Sequence, residues 1–340
     1  MRGRRGLIAL IAMLATVSGC GFNNDYVVKT DLSSKLGAKT GAIKVEKTIP
    51  APDDITVHEE VITIPGLTEE FEIVFTADNH ISLCDDRDSA VLEKAAKRYE
   101  YFKSFDDSYA DESFETVIKY VESENPDLFV LGGDVVDSAM YAGIEFVSGE
   151  LSKLEVPYLY GIGNHDFEYG DEYYSATAFS EYLPRLSQIS DISNGVRSIE
   201  FDEVVVLIAD DYCNKVTPAA LAELQRVCAL GKTVIVSVHV PIEPGLGDSL
   251  WEMSKAIWGQ GADARSRVLL GSNSCTPDET TQAFIDEILK ADSPVKAVLA
   301  GHVHFYHKDM LNDKVVQFVA GPGFNKEVTK LILKPENIQK

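Results

Sequence analysis

The chain has 340 residues, 45% hydrophobic and 25% charged, the make-up of a globular protein with room for one large domain or two modest ones. Its formal net charge of −23 argues against nucleic acid or an anionic membrane face as a general partner. An acidic exterior also repels phosphate esters, so attraction for one has to come locally, from bound cations.

The first segment reads as a leader. Met1-Arg2-Gly3-Arg4-Arg5 is basic, Leu7 to Val17 is an apolar run of 11 residues, and Val17-Ser18-Gly19-Cys20 places small residues before a cysteine. A membrane-spanning helix needs about 20 apolar residues, so this run is too short to be one. The last four residues resemble a bacterial lipobox, with Val17 where that pattern more often has Leu. The resemblance implies loss of residues 1–19, acylation of Cys20 and export to the outer face of a bacterial membrane, with the bilayer as a partner through the acyl chains. A plain secretory leader with an incidental cysteine is the alternative. Three arginines leave with the leader, which takes the net charge to −26. Outside the cytoplasm Cys84, Cys213, Cys228 and Cys275 could pair in any of three connectivities, and buried free thiols fit equally well.

Residues 20–54 are polar, mixed in charge and without periodicity, and Thr48-Ile49-Pro50-Ala51-Pro52 adds a stiff stretch; they read as a tether ahead of a catalytic domain over 55–340. Ile55 to Ile64 alternates weakly, as an edge strand does, and Pro65-Gly66 is a turn. Strands and helices then alternate. Phe71–Thr76 is the first core strand, followed by helical stretches near 89–103 and 111–124. Leu128–Leu131 is the next strand, then a helix near 139–154 and a strand at 158–161. Strands follow at 198–201 and 204–209, with a helix opened by Thr217-Pro218 as N-cap and N1 proline. Val234–Val238 is a strand, Thr276-Pro277-Asp278-Glu279 reads as a capping box for a helix to about 292, and strands at 295–300, 315–319 and 328–333 finish the chain. The stretch 241–275, with Trp251 and Trp258, reads as a long loop or small subdomain. This order predicts an α/β domain of two packed sheets flanked by helices, with no internal boundary or short repeat.

Five segments stand where predicted strands end: Asp78-Asn79-His80, Gly133-Asp134-Val135-Val136-Asp137, Gly163-Asn164-His165-Asp166, Val238-His239-Val240 and Gly301-His302-Val303-His304. They hold five of the seven histidines, at the position where α/β sheets build their sites. Imidazoles, carboxylates and an amide oxygen converging there would form a cage for two divalent metals. The flanking glycines Gly132, Gly133, Gly163 and Gly301 are expected to let backbone come close to the ligands and to adopt positive φ.

In that order the segments resemble the calcineurin-like metallophosphoesterase superfamily, over about residues 71–325. The resemblance implies a four-layer α/β/β/α sandwich of two mixed sheets with a dinuclear centre. It implies that Asp78, His80 and His304 hold one metal, that Asn164, His239 and His302 hold the other, and that Asp134 bridges both. Manganese, iron or zinc would suit these donors. Metal-activated hydroxide would attack phosphorus in line. His165 would face the leaving-group oxygen, Asp166 would bond its other nitrogen and fix its tautomer, and Asp137 would support the site from behind the ligands. Asn79 is expected to serve its loop, with reach to a substrate oxygen as the alternative; His307 to lie at the surface or behind the site, with lining it as the alternative; His58 to need no function; and Arg87 and Arg98 to form ordinary surface ion pairs, with phosphate contacts as the alternative.

Asp137 stands where purple acid phosphatases carry a tyrosine ligand, and only 15 residues follow Asn325, so the resemblance does not extend to the substrate domain of secreted 5′-nucleotidases. The reading is a membrane-tethered, extracytoplasmic hydrolase of small phosphate mono- or diesters. The alternatives are a lipoprotein that binds metal or ligand without catalysis, and a nuclease of the same superfamily. The acidic surface weighs against long nucleic acids, and no protein partner is inferred.

Overall fold

The structure, a computed structural model, describes residues 55–336 apart from 168–174, 213, 244–248, 259–269 and 271–276. The expected leader, Cys20, the tether, Cys213, Cys275, Thr276 and the side chains of Trp251 and Trp258 lie outside the described residues.

Two sheets face each other. The first has five strands: β1 (Thr56–Ile64), β2 (Phe71–Thr76), β3 (Leu128–Leu131), β4 (Tyr158–Tyr160) and, at the end of the chain, β11 (Glu327–Pro335), in the order β1-β11-β2-β3-β4. The second has six: β5 (Val196–Glu200), β6 (Val204–Ala209), β7 (Thr233–Ser237), β8 (Val295–Ala300), β9 (His307–Met310) and β10 (Val316–Val319), in the order β5-β6-β7-β8-β10-β9. Strands β2, β3 and β4 run parallel, as do β6, β7, β8 and β10, whereas β11 on β2, β5 on β6 and β9 on β10 are antiparallel. Both sheets are therefore mixed.

Side-chain alternation along the strands creates the layers. Ile73 and Phe75 of β2, Leu128 and Val130 of β3, and Leu331 and Leu333 of β11 point inward, against Val206, Ile235, Leu299 and Phe318 of the other sheet. The intervening residues Val74, Phe129 and Leu131 point outward. They meet Phe114, Val117 and Val121 of α2 (Ala110–Glu124) and Ile144 and Val147 of α3 (Tyr141–Leu151). On the far side Val205, Leu207, Val236 and Val298 pack on Leu224 and Val227 of α4 (Pro218–Cys228) and on Phe284 and Ile288 of α6 (Glu279–Leu289). Strands buried on both faces must be apolar throughout, which is why these read as continuous Val, Ile and Leu runs. Each such side chain contributes about 1.5–3 kcal/mol relative to exposure, and this core offsets the cost of the buried charges described below. The result is the α/β/β/α sandwich.

Departures from the sequence reading are local. Part of 241–275 is helical, as α5 (Ser249–Trp258), and the segment Ala178–Gln188 forms short irregular helical turns. The N-cap of α6 is Asp278, whose side chain accepts from the Thr281 amide; the expected cap at Thr276 is displaced by two residues. Thr217 does cap α4, accepting from the Ala220 amide, with Pro218 at N1. The strand β9 went unread. Cys84 and Cys228 are both free thiols. No helix among the described residues is long and apolar enough to cross a membrane.

Candidate metal centre

The five segments meet at one end of the sandwich, where β2, β3 and β4 of one sheet and β7 and β8 of the other deliver their carboxyl ends. Backbone bonds lock the loops in pairs. Asp78 N donates to Gly133 O (3.0 Å), His80 N to Asp134 O (2.9 Å) and Gly301 N to His239 O (2.9 Å). Five of the ten described non-glycine residues with positive φ are expected ligands: Asp78 (56°), His80 (50°), Asp134 (51°), His302 (73°) and His304 (54°). Left-handed backbone is costly for such residues and concentrates where surrounding contacts over-determine it, here at the site.

The glycines act in two ways. Gly133 has the expected positive φ of 96°. Gly132, Gly163 and Gly301 do not; close approach requires them instead. A Cβ on Gly163 would lie 2.2 Å from Asp134 Oδ1, and one on Gly301 would lie 2.7 Å from Asp78 Oδ2.

The donor atoms fall into two groups. In the first, His80 Nε2 lies 3.1 Å from His304 Nε2 and 4.0 Å from Asp78 Oδ1, and His304 Nε2 lies 3.4 Å from that same oxygen. In the second, His239 Nε2 lies 3.1 Å from Asp134 Oδ2, and His302 and Asn164 approach each other, Nδ1 to Oδ1, at 3.1 Å. Asp134 Oδ2 also lies 3.9 Å from His80 Nε2, so one oxygen faces both groups. Asp78–His80–His304 and Asp134–His239–His302 each bring three donor atoms within 4.8 Å of one another.

The outer nitrogens fix which atoms face inward. His80 Nδ1 lies 3.1 Å from Asp137 Oδ1, and His239 Nδ1 lies 3.0 Å from Gly132 O. Both partners are acceptors, so each Nδ1 carries a proton and each Nε2 is the nitrogen turned to the centre. Burial pushes the His80 imidazole down to about 4, which keeps it neutral as a metal ligand must be. Burial and the Asp134 charge raise the Asp78 carboxyl to about 6, with His239 opposing. Burial would lower His239, but the Asp134 carboxylate lifts it to about 10. Without cations, the protein alone thus has to hold protons among crowded, buried carboxylates and imidazoles. Imidazole nitrogens and carboxylate oxygens are the donor set of divalent transition metals, so the residues fit the expected group.

Four carboxylates pin the loops. Asp166 Oδ2 accepts from the amides of Asp134 (2.8 Å) and Gly163 (2.6 Å), and Oδ1 from those of Val135 (2.9 Å) and Val136 (3.0 Å) and from the Tyr160 hydroxyl (2.7 Å). The expected bond from Asp166 to His165 is therefore absent: its oxygens are already engaged by backbone and by Tyr160. The His165 Nδ1 lies instead 3.1 Å from Asp137 Oδ1 and 2.9 Å from Arg98 Nη2. Asp134 Oδ1 accepts from His165 N (2.6 Å) and Asp78 Oδ2 from His302 N (2.8 Å). Asp211, just past β6, accepts from the His239 and Val240 amides, both at 2.9 Å.

Asp137 does lie behind the ligands, touching His80 and His165. Arg98, on α1 (Leu92–Tyr101), engages both its oxygens and holds the carboxyl well below its usual range against the upward push of burial. The expectation of a surface pair for Arg98 is corrected; for Arg87 it stands, between exposed Asp85 and Glu145. Phe102, one turn beyond Arg98, lays its ring on that of His80, with centroids 3.9 Å apart and planes 5° apart, and Phe324 packs beside it at 5.3 Å. Asn79 is buried in its loop and donates to Thr76. His307 is buried in β9 beside Asp309 (3.0 Å), and His58 pairs with Glu327 (2.9 Å). Phe102, Tyr160 and Asp211 escape the sequence reading because none stands inside a segment with histidine.

The family model of the calcineurin-like phosphoesterases matches residues 71–306. The chain belongs to that family. Among solved structures, a dimetal phosphatase from Danio rerio is similar at 13% identity and a TM-score of 0.49, over 78% of this chain and 93% of that one. A putative 5′-nucleotidase from Staphylococcus aureus, solved with alpha-ketoglutarate, is similar at 12% identity and a TM-score of 0.42, over 78% of this chain and 51% of that one. No curated protein sequence matches.

Proposed function

We propose that this calcineurin-like phosphoesterase is a membrane-tethered, extracytoplasmic hydrolase of small phosphate mono- or diesters with a dinuclear metal centre. One observation carries the reading: seven expected ligands, from five loops on two sheets, converge as two donor groups that share Asp134. In this reading Asp78, His80 and His304 hold one divalent cation, Asn164, His239 and His302 hold the second, and Asp134 serves both. Bound there, the cations supply Lewis acidity and bring the pKa of water toward neutrality.

The chain's own residues do the rest. The acidic carboxylates are pinned by backbone amides, so the cage is set before substrate arrives, and little reorganisation remains at the moment of reaction. His165, buried and held at Nδ1 beside Asp137, is the residue this reading sets against the leaving-group oxygen of the ester. Phe102 and Phe324 keep one side of the centre dry. The tether and lipid anchor rest on Met1–Cys20 and residues 20–54; labelled palmitate incorporated by wild type and lost in Cys20→Ala is the expected result.

The catalytic reading is tested with purified protein, chromogenic phosphate mono- and diesters, and added manganese. Metal-dependent turnover is expected, and His165→Ala should retain the metals while lowering turnover by about 10²–10⁴-fold. Stoichiometric metal uptake with no hydrolysis of any ester would favour the non-catalytic binding lipoprotein.

A further inference from the structure

We propose that Arg98 is a positioning residue of this centre: its guanidinium fixes Asp137 and, through that carboxylate, sets the rings of His80 and His165 relative to each other. The inference rests on the hydrolase reading above and names a part that no strand-end segment contains.

Both imidazoles hang on one oxygen. Asp137 Oδ1 lies 3.1 Å from His80 Nδ1 and 3.1 Å from His165 Nδ1. A carboxylate turns readily about its last side-chain bond, and any turn would move both contacts. Arg98 prevents it, because Nε meets Oδ2 while Nη2 meets Oδ1. Two parallel bonds fix the plane of the carboxylate as well as its charge. The same Nη2 stands 2.9 Å from His165 Nδ1, so the guanidinium touches the second imidazole directly.

Arg98 is itself held. Its guanidinium carbon lies 4.8 Å from the centroid of the Phe102 ring, and that ring stacks on His80. Arg98 and Phe102 are four residues apart at the end of α1, hence on one helix face. A closed circuit results: Arg98 to Asp137, Asp137 to His80, His80 to Phe102, and Phe102 back to Arg98. Ser82 Oγ adds a long contact to Asp137 Oδ2 at 3.4 Å. The circuit joins an expected ligand of one cation to the residue expected to face the leaving group. A lysine could not replace the arginine fully, since an ammonium is a single point and cannot span both oxygens.

The test compares Arg98→Ala and Arg98→Lys with wild type, with Arg87→Ala as a surface control. Three readouts are taken: metal content, kcat and KM on aryl and alkyl phosphate esters of rising leaving-group pKa, and imidazole signals in long-range proton–nitrogen spectra of the zinc-loaded protein. Arg98→Ala should keep its metals and lose about 10–100-fold in kcat, the range for partners of metal ligands, with little change in KM. The loss should grow as the leaving group worsens, Arg98→Lys should recover part of it, and Arg87→Ala should match wild type. The His165 and His80 ring signals should shift or broaden in Arg98→Ala. Equal kcat losses on all leaving groups, full activity in Arg98→Ala, or unchanged ring signals would overturn the proposal. The spectra decide on Arg98 even if wild type hydrolyses no ester, in which case the hydrolase reading fails by itself. If Arg98→Ala does not fold, as circular dichroism would reveal, Arg98→Lys carries the kinetic and spectral comparison, and wild-type behaviour there contradicts the need for a fork.

Discussion

Asp78, His80 and His304 are all buried, beneath the rings of Phe102 and Phe324. Around the second donor group, Asp134 and His239 are equally buried, but His302 and Asn164 are only half-buried. The first group is thus an inner, dry compartment whose imidazole is clamped from behind by Asp137. The second forms the mouth, where solvent, and by inference the ester, arrives. Low local dielectric strengthens every charge interaction in the inner compartment, so its ligands should be the harder to do without.

The largest effect expected from this contrast separates His304→Ala from His302→Ala. His304→Ala opens the inner group and should weaken the first cation by more than the ~10–100-fold that losing an outer partner costs. His302→Ala should be milder and partly rescued by excess metal, because the site is open to it. Metal titration of both variants, followed by turnover, checks the order; the reverse order would erase the distinction. A smaller effect is kinetic. Dialysis of wild type against a graded chelator should remove the mouth cation first, seen as two steps in metal content, whereas a single step would mean equivalent sites.

The smallest effect is on stability and concerns the pin beneath the mouth group. Burial raises the Asp211 carboxyl from its ordinary 3.8 to about 7. The folded, metal-free chain therefore binds a proton there that the unfolded chain releases. Its stabilising contribution is full below about pH 4 and is lost as pH rises toward 7. Urea unfolding of metal-free protein should show Asp211→Asn losing less stability than wild type between pH 5 and pH 8. Parallel losses would show that Asp211 keeps its ordinary pKa.

What was legible beforehand follows the same division. Every expected ligand could be read because each lies in a short segment with histidine or aspartate that closes an apolar run. Long-range partners could not be. Asp211 is one of two aspartates after a strand, and only the fold shows that its oxygens reach the amides of His239 and Val240. Asp166 misled for a related reason: adjacency to His165 suggested a bond, but its carboxylate turns back into the loop, where four amides and Tyr160 outcompete one imidazole. Arg98 looked like any basic helix residue, since its partner is 39 positions away. Strand β9 is four residues long, and its alternation of buried His307 and Asp309 with exposed Lys308 and Met310 is too short to register.

The central claim is that one carboxylate joins two cation sites, and metal analysis of Asp134→Ala beside wild type tests it most directly. The expected result is two divalent ions per wild-type chain and neither retained by the variant. Two ions kept by a folded Asp134→Ala, or none taken up by wild type, would contradict it.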